Sequence, residues 1–383
     1  MTQRDNGILD LFSGPGGFYL GFTMAEFDIV ESIDINENAV KTLEYNSKKI
    51  TENTGLNTNH SVENLDLWKT RISDIKKHFK MKNYEITGII GGPPCRGFSL
   101  ANQQTRFIHN PLNKLVLRYV EIIKDIKPRF FVLENVPQIL TAGKGKFVGE
   151  LNADLNNIYH ITSIVQNSLN FGVPQDRKRA IIIGIHSDLV DTIDSLKTKI
   201  SKVRSDPHLT LKDAIYDLPK IDSGATAEKL EYDETRKISK YAKSLRYTTF
   251  PKIESDYVYN HITSKNGKDV LKRFKYLKPG QNIKDLPPLL LKNYSSTRSS
   301  HSSIYRKLKY DECSVTISNI RKNMFNHPKQ NRGISVREAA RIQSFPDWYE
   351  FKGGISSQQQ QVADAIPPLF SKAIASAIKS ELF

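Results

Sequence analysis

Short apolar runs separated by amphipathic stretches fill the first half of the chain, and their alternation predicts strands and helices in turn. Ile8 to Phe12 reads as a first strand, and Ser13-Gly14-Pro15-Gly16-Gly17 as the turn into a helix from about Phe18 to Phe27. Ile29 to Ile33 forms a second strand ending in Asp34, followed by a helix from Glu37 to about Ile50. His60-Ser61-Val62 is a candidate third strand, and Ile72, Ile75 and Phe79 share one face of the next helix. Ile86 to Ile90, Phe130 to Leu133 and Ala180 to Ile185 are apolar enough to be buried strands. The expected fold is α/β, with a doubly wound, largely parallel sheet. Ligands then belong at the carboxyl ends of its strands.

From His186 to about Gln330 the pattern turns irregular, which predicts a smaller second domain over residues 186–333. Ser335-Val336-Arg337-Glu338 is a capping box opening a helix through Gln343. The last helix, carrying Leu369, Ile374 and Ile378, is expected beside the first strand. The first domain is therefore expected to comprise residues 1–185 completed by 334–383.

Charge changes the picture. The chain has 383 residues, and its 56 Lys+Arg exceed 41 Asp+Glu to give a formal +15. Between His186 and Gln330 stand 28 Lys+Arg and 17 Asp+Glu, a net +11, so most of the excess lies in the irregular region. Such a bias favours a polyanionic partner, nucleic acid before membrane. Tyr294 to Ser303, a run of hydroxyls with Arg298, suits a phosphate backbone, although a solvated loop reads the same way. No apolar run nears the roughly 20 residues of a membrane span. Two cysteines make neither a disulfide framework nor a zinc site, so a reducing, cytoplasmic setting is expected and no metal.

Chemistry-bearing residues gather at the predicted strand ends. Glycines 14, 16 and 17 let backbone N–H groups approach a ligand, and Asp34, about twenty residues on, suits ribose hydroxyls. Gly91-Gly92-Pro93-Pro94-Cys95-Arg96-Gly97-Phe98-Ser99 puts a lone thiol on a sharp turn, which suggests a nucleophile; a buried structural cysteine is the plainer reading. Glu134 ends a buried strand, where a carboxylate is costly without a partner or a task, and helix capping is the alternative. Arg177 and Arg179 alternate in an extended segment and point to one side; a solvated basic loop is their alternative.

Together these pieces resemble the C5-cytosine DNA methyltransferase family. DLFSGPGGFYLGF (Asp10–Phe22), GGPPCRGFS (Gly91–Ser99), LENV (Leu133–Val136), VPQDRKR (Val173–Arg179), REAARIQSFP (Arg337–Pro346) and the AIPP ending at Pro368 stand in the family's order and span nearly the whole chain. The resemblance implies a sheet of the S-adenosylmethionine-dependent methyltransferase type. It implies that cofactor over Phe12, Ser13, Gly14, Gly16 and Gly17, with Asp34 and Ile35, Asp66 and Leu67, Pro93, Leu115, Asp364 and Ala365 around it. Asp66 is preferred over Asp74, which falls inside a predicted helix. Cys95 is then the nucleophile, Glu134 the group at ring N3 and the exocyclic amine, and Arg179 with Arg177 the partners of the base carbonyl and a phosphate. Arg96, Ser99, Gln175 and Arg298 are implied DNA contacts, and the irregular domain the target recognition domain.

Three stretches depart from the family pattern. Arg96 stands where glutamine is usual, and Asn110 and Leu112 where Asp and Arg are frequent. Ala363-Asp364-Ala365-Ile366 replaces Gly-Asn-Ala-Val, adding a negative charge near the implied cofactor carboxylate. The implied activity is cytosine C5 methylation of a flipped-out base in duplex DNA, by a monomer, with a restriction endonuclease as possible partner. The same chemistry on tRNA and an inactive DNA-binding descendant are the alternatives. A nicotinamide-dependent dehydrogenase, suggested by the glycines alone, explains neither the Pro-Cys turn nor the basic domain.

Overall fold

The computed structural model describes residues 5–81, 84–94, 114–203, 208–292, 294 and 300–382. They form two compact units. The first comprises the chain up to Phe171, Lys178–Ser205 and Pro368–Phe383; the second comprises Gly172–Arg177 and Asp206–Pro367.

Seven strands build the sheet of the first unit. They are β1 (Asp5–Leu11), β2 (Ile29–Asp34), β3 (Ser61–Asn64), β4 (Tyr84–Gly91), β5 (Phe130–Asn135), β6 (Tyr159–Asn167) and, beyond the two-residue β7 (Gln175–Asp176) of the second unit, β8 (Lys178–His186). Between them run α1 (Gly17–Met24), α2 (Glu37–Thr54), α3 (Ile72–Met81), α4 (Lys114–Ile126) and α5 (Lys146–Leu155), with α6 (Asp194–Lys202) after β8. Strand order is β3-β2-β1-β4-β5-β8-β6. β1 to β5 pair in parallel, and β8 runs antiparallel to both its neighbours. The carboxyl ends of β1 to β5 and the amino end of β8 therefore share one edge. The order reverses between β1 and β4, the switch point where open α/β sheets bind ligands.

Local chemistry explains the elements. α1 is apolar all round and buried from Gly17 to Thr23, as a helix sandwiched inside a fold must be. α2 begins at Asn36, whose side chain accepts from the Asn38 and Ala39 N–H groups, and stops at left-handed Gly55. The helix Pro368–Leu382 packs on α1, the helix following the first strand, and its Ser371 hydroxyl donates to the Phe18 carbonyl. A Cβ on Gly21 would lie 2.4 Å from Ser371, so only glycine allows that approach. The first helix ends earlier than its pattern predicts, because the chain turns at Glu26 with φ 60°. The edge strand β6 is not among the predicted elements: only every third or fourth of its residues is buried, so no clean alternation marks it.

The second unit is held by small pieces. β7 pairs with Ser314–Val315, and Lys229–Leu230 with Val258–Tyr259. One apolar cluster unites Phe274, Leu277, Ile283, Leu286 and Tyr305. The helix Val336–Ile342 is buried along its whole length, and Ser335 and Glu338 form the expected capping box. Arg332 forks onto Glu338 at 2.7 and 2.8 Å, and Arg341 pairs with Asp217 and Asp347. Arg337 donates to the carbonyls of Tyr259, Pro346 and Tyr349. These partners all belong to the second unit, so the stretch 334–367 packs there, and the chain rejoins the first unit at Pro368 rather than at 334. Among the described residues no helix is long and apolar enough to cross a membrane.

Candidate active site

The turn after β1 is built for close approach. Gly14 and Gly16 have φ of 53° and 90°, and Phe12 adopts φ 55°, a strained value for a residue with a Cβ. The Gly14 N–H donates to Asp34 Oδ2 at 2.8 Å and the Asn36 N–H to Oδ1 at 2.7 Å, so the acid ending β2 is tied to the glycine turn. No described residue lies within 4 Å of where a Gly14 Cβ would stand. Ile35 is 66 % exposed next to it. Leu65 and Trp68, near the end of the neighbouring β3, are exposed as well. This apolar, open surface beside a fixed carboxylate suits the flat base and ribose of a nucleoside.

The end of β4 is tied to the end of β5. Asn135 donates its side-chain amide to the Pro93 carbonyl at 3.0 Å and accepts from the Val136 N–H. A Cβ on Gly92 would stand 3.0 Å from Glu134 Oε2, so glycine is what allows the carboxylate to lie against this turn. Arg179, at the amino end of antiparallel β8, reaches the same edge, and its Nε stands 2.7 Å from Glu134 Oε1. Both side chains of this pair keep 14 % of their exposure, enough to meet a ligand while losing most of their water. A partly dry carboxylate and guanidinium, held against Gly92, three residues before Cys95, can bind a polar ring edge and stabilise charge on it. Cys95, Arg96 and Ser99 lie outside the described residues, as does Arg298.

The C-5 cytosine-specific DNA methylase family matches residues 7–380. The chain belongs to that family. It is 33 % identical to the type II methyltransferase M.DdeI of Desulfomicrobium norvegicum, covering 97 % of this chain and 88 % of that one. With the type II methyltransferase M1.HphI of Haemophilus parahaemolyticus it shares 30 % identity, over 97 % and 86 % of the two chains. In structure it resembles a protein described as a DNA modification methyltransferase encoded within an E. coli prophage, with TM-score 0.76 at 23 % identity over 99 % of both chains. The sheet is that of the DNA methyltransferases.

Other residues of the DNA methylase pattern have structural tasks. Arg177 is buried, and its guanidinium donates to the carbonyls of Ile317, Ala363 and Ala365. Gln175 is fully buried, with its amide shared between the Ile342 carbonyl and the Ile317 N–H. Among the described residues both side chains are thus engaged with backbone groups, an arrangement that braces the segment between β7 and β8. Asp364 is exposed and accepts from Gln360 at 2.7 Å. The Arg177 guanidinium donates to the carbonyls either side of Asp364, at the C-terminal end of this helix. Asp66 stands just beyond β3, accepting from the Trp68 N–H and 3.5 Å from Lys69, whereas Asp74 sits in the first turn of α3 against Arg71. Leu67 is in the core, leaving its backbone, whose carbonyl accepts from Arg118. Leu115 is half-buried in the first turn of α4, and Pro93 is buried at the β4 turn. Ser13 is buried, and its hydroxyl has no partner among the described residues. Asn135 and Trp68 are the additions that the sequence reading lacks: one ties the turns, and the other is a large ring left exposed.

Proposed function

We propose that this protein methylates C5 of a flipped-out cytosine in a specific duplex DNA sequence, with S-adenosylmethionine as donor and Cys95 as nucleophile. The Glu134–Arg179 pair, at the edge that also carries the glycine turn and Asp34, is the observation that supports it most. The donor, when bound, supplies an electrophilic methyl group. Phe12 to Gly17, Asp34 with Ile35, Asp66 and Leu115 are the residues to hold it. Orphaned Ser13, the strained Phe12 and the exposed apolar rim fit such a ligand.

The base needs help because an aromatic cytosine ring does not attack a methyl sulfonium unaided. Addition of the Cys95 thiolate to C6 breaks the aromaticity and makes C5 a nucleophile. Glu134 holds or protonates N3, and Arg179 binds the ring carbonyl and neutralises charge as the adduct forms. Loss of the C5 proton to solvent and elimination of the thiol complete the cycle. A stacked base cannot reach these groups, so the target is flipped. The second unit, rich in Lys and Arg, is assigned the reading of duplex DNA, and the protein is assigned to act as a monomer beside a nuclease of the same specificity.

Bisulfite sequencing of host DNA after expression of this chain, and separately of its Cys95→Ala form, tests the proposal. Protected cytosines in one short context, absent with the variant, are expected. Full conversion in both, with soluble protein present, would turn attention to RNA or to an inactive DNA-binding protein.

A further inference from the structure

Asp10 is a buried acid that the chemistry above leaves unused. It stands in β1, three residues before Ser13 and the glycine turn. It has no exposed surface, and neither carboxylate oxygen has a hydrogen-bond partner among the described residues. Among the described residues the groups facing it give no compensating charge. From β2 comes the carboxylate of Asp34, which repels it, and from α4 the phenol of Tyr119, whose hydroxyl donates to the Ile89 and Val132 carbonyls. From α1 the Tyr19 N–H, too poorly aligned for a formed hydrogen bond, favours the charged form by less than burial and Asp34 disfavour it. Burial first, and Asp34 second, hold the Asp10 carboxyl well above the usual carboxylate range. Asp34, by contrast, accepts two backbone N–H groups. The two acids at the base of one loop thus stand in different settings, and only Asp34 is tied to the turn's backbone.

We propose that Asp10 is a proton-linked positioning residue of the cofactor loop, neutral in the free protein and ionising when the sulfonium donor, but not its demethylated product, is bound. The proposal rests on the S-adenosylmethionine reading above. Donor and product differ by one methyl group and one positive charge. In a dry interior that charge favours an ionised carboxylate even without contact, and the neutral thioether brings no such term. The proton leaves Asp10 for solvent as the donor binds and returns when the product replaces it. Donor and product are then distinguished by a group shielded from both.

Isothermal titration of the full-length protein with S-adenosylmethionine and with S-adenosylhomocysteine, in two buffers of different ionisation enthalpy and across pH 6 to 8, reads the proton count directly. Wild type is expected to release more protons with the donor. Its donor-to-product affinity ratio is expected to rise with pH, by at most about tenfold per unit. Asp10→Asn, which keeps the shape of the neutral acid, is expected to bind both ligands with equal proton counts and a flat ratio. Equal counts for the two ligands in wild type would overturn the proposal without recourse to any variant. So would a difference that survives in Asp10→Asn. If neither ligand binds wild type, the cofactor reading itself falls, and this inference with it.

Discussion

Glu134 and Arg179 show how single side chains acquire their task from their neighbours. Each holds the other in place, and Gly92 clears the space beside the carboxylate. Glu134→Gln keeps the volume and removes the charge, so single-turnover methylation is expected to slow by about 10²–10⁴ with DNA affinity little changed. Gly92→Ala would press a methyl group on Glu134 Oε2. Its expected signature is a methylation rate reduced by about tenfold or more at a nearly unchanged melting temperature. Asp10 makes a prediction of opposite sign. Its pKa is raised in the folded chain, so the native state keeps a proton that the unfolded chain releases above about pH 4. That contribution is complete below pH 4 and is lost as pH rises toward the native pKa. Asp10→Asn lacks this loss and is expected to melt higher than wild type at pH 7, by about 2 °C or more. Thermal unfolding of both proteins between pH 4 and 8 checks it.

At the scale of elements, the helix Val336–Ile342 organises the second unit through buried charge. Arg332 is 1 % exposed and Glu338 likewise, so removing either leaves an unpaired ion in the interior. Burial alone would raise the Glu338 pKa, but Arg332 outweighs it and holds the carboxyl well below the usual range. Glu338→Ala is expected to cost about 3–5 kcal/mol in denaturant unfolding. His327 stands 3.6 Å from the same carboxylate and His261 on the Ser335 hydroxyl, and burial pushes each down to about 4. Both are neutral in the native protein, whereas the unfolded chain takes up protons below about pH 6.5. Stability is therefore lost as pH falls from about 6.5 to 4, and further when Glu338 is reached. A pH series of urea unfolding curves reads this directly, with a flatter slope expected for His261→Gln. The capping box was legible from Ser335 and Glu338 alone, because its hydrogen bonds are local. The burial of Arg332, Arg337 and Arg341 was not, since their partners lie up to 127 positions away.

For the whole molecule, charge sets how it meets DNA. The net +11 between His186 and Gln330 implies many phosphate contacts, each releasing a counterion. With six to ten such contacts, affinity for duplex DNA is expected to fall about 10³–10⁵-fold between 50 and 200 mM salt, which anisotropy titrations measure. The periodic apolar runs and the ordered motifs determined by themselves the α/β class, the parallel core of the sheet, the glycine turn with Asp34 and the family. Each depends on residues close in sequence or on a motif read as a unit. Tertiary structure alone decided that β8 enters antiparallel, which delivers Arg179 to Glu134, and that Arg177, two residues earlier, is spent on backbone carbonyls. It alone decided that residues 334–367 pack with the second unit and that Asp10 has no hydrogen-bond partner among the described residues. Alternation along a strand says which side chains share a face, but what stands opposite that face comes from distant parts of the chain, and a charge is priced by those neighbours.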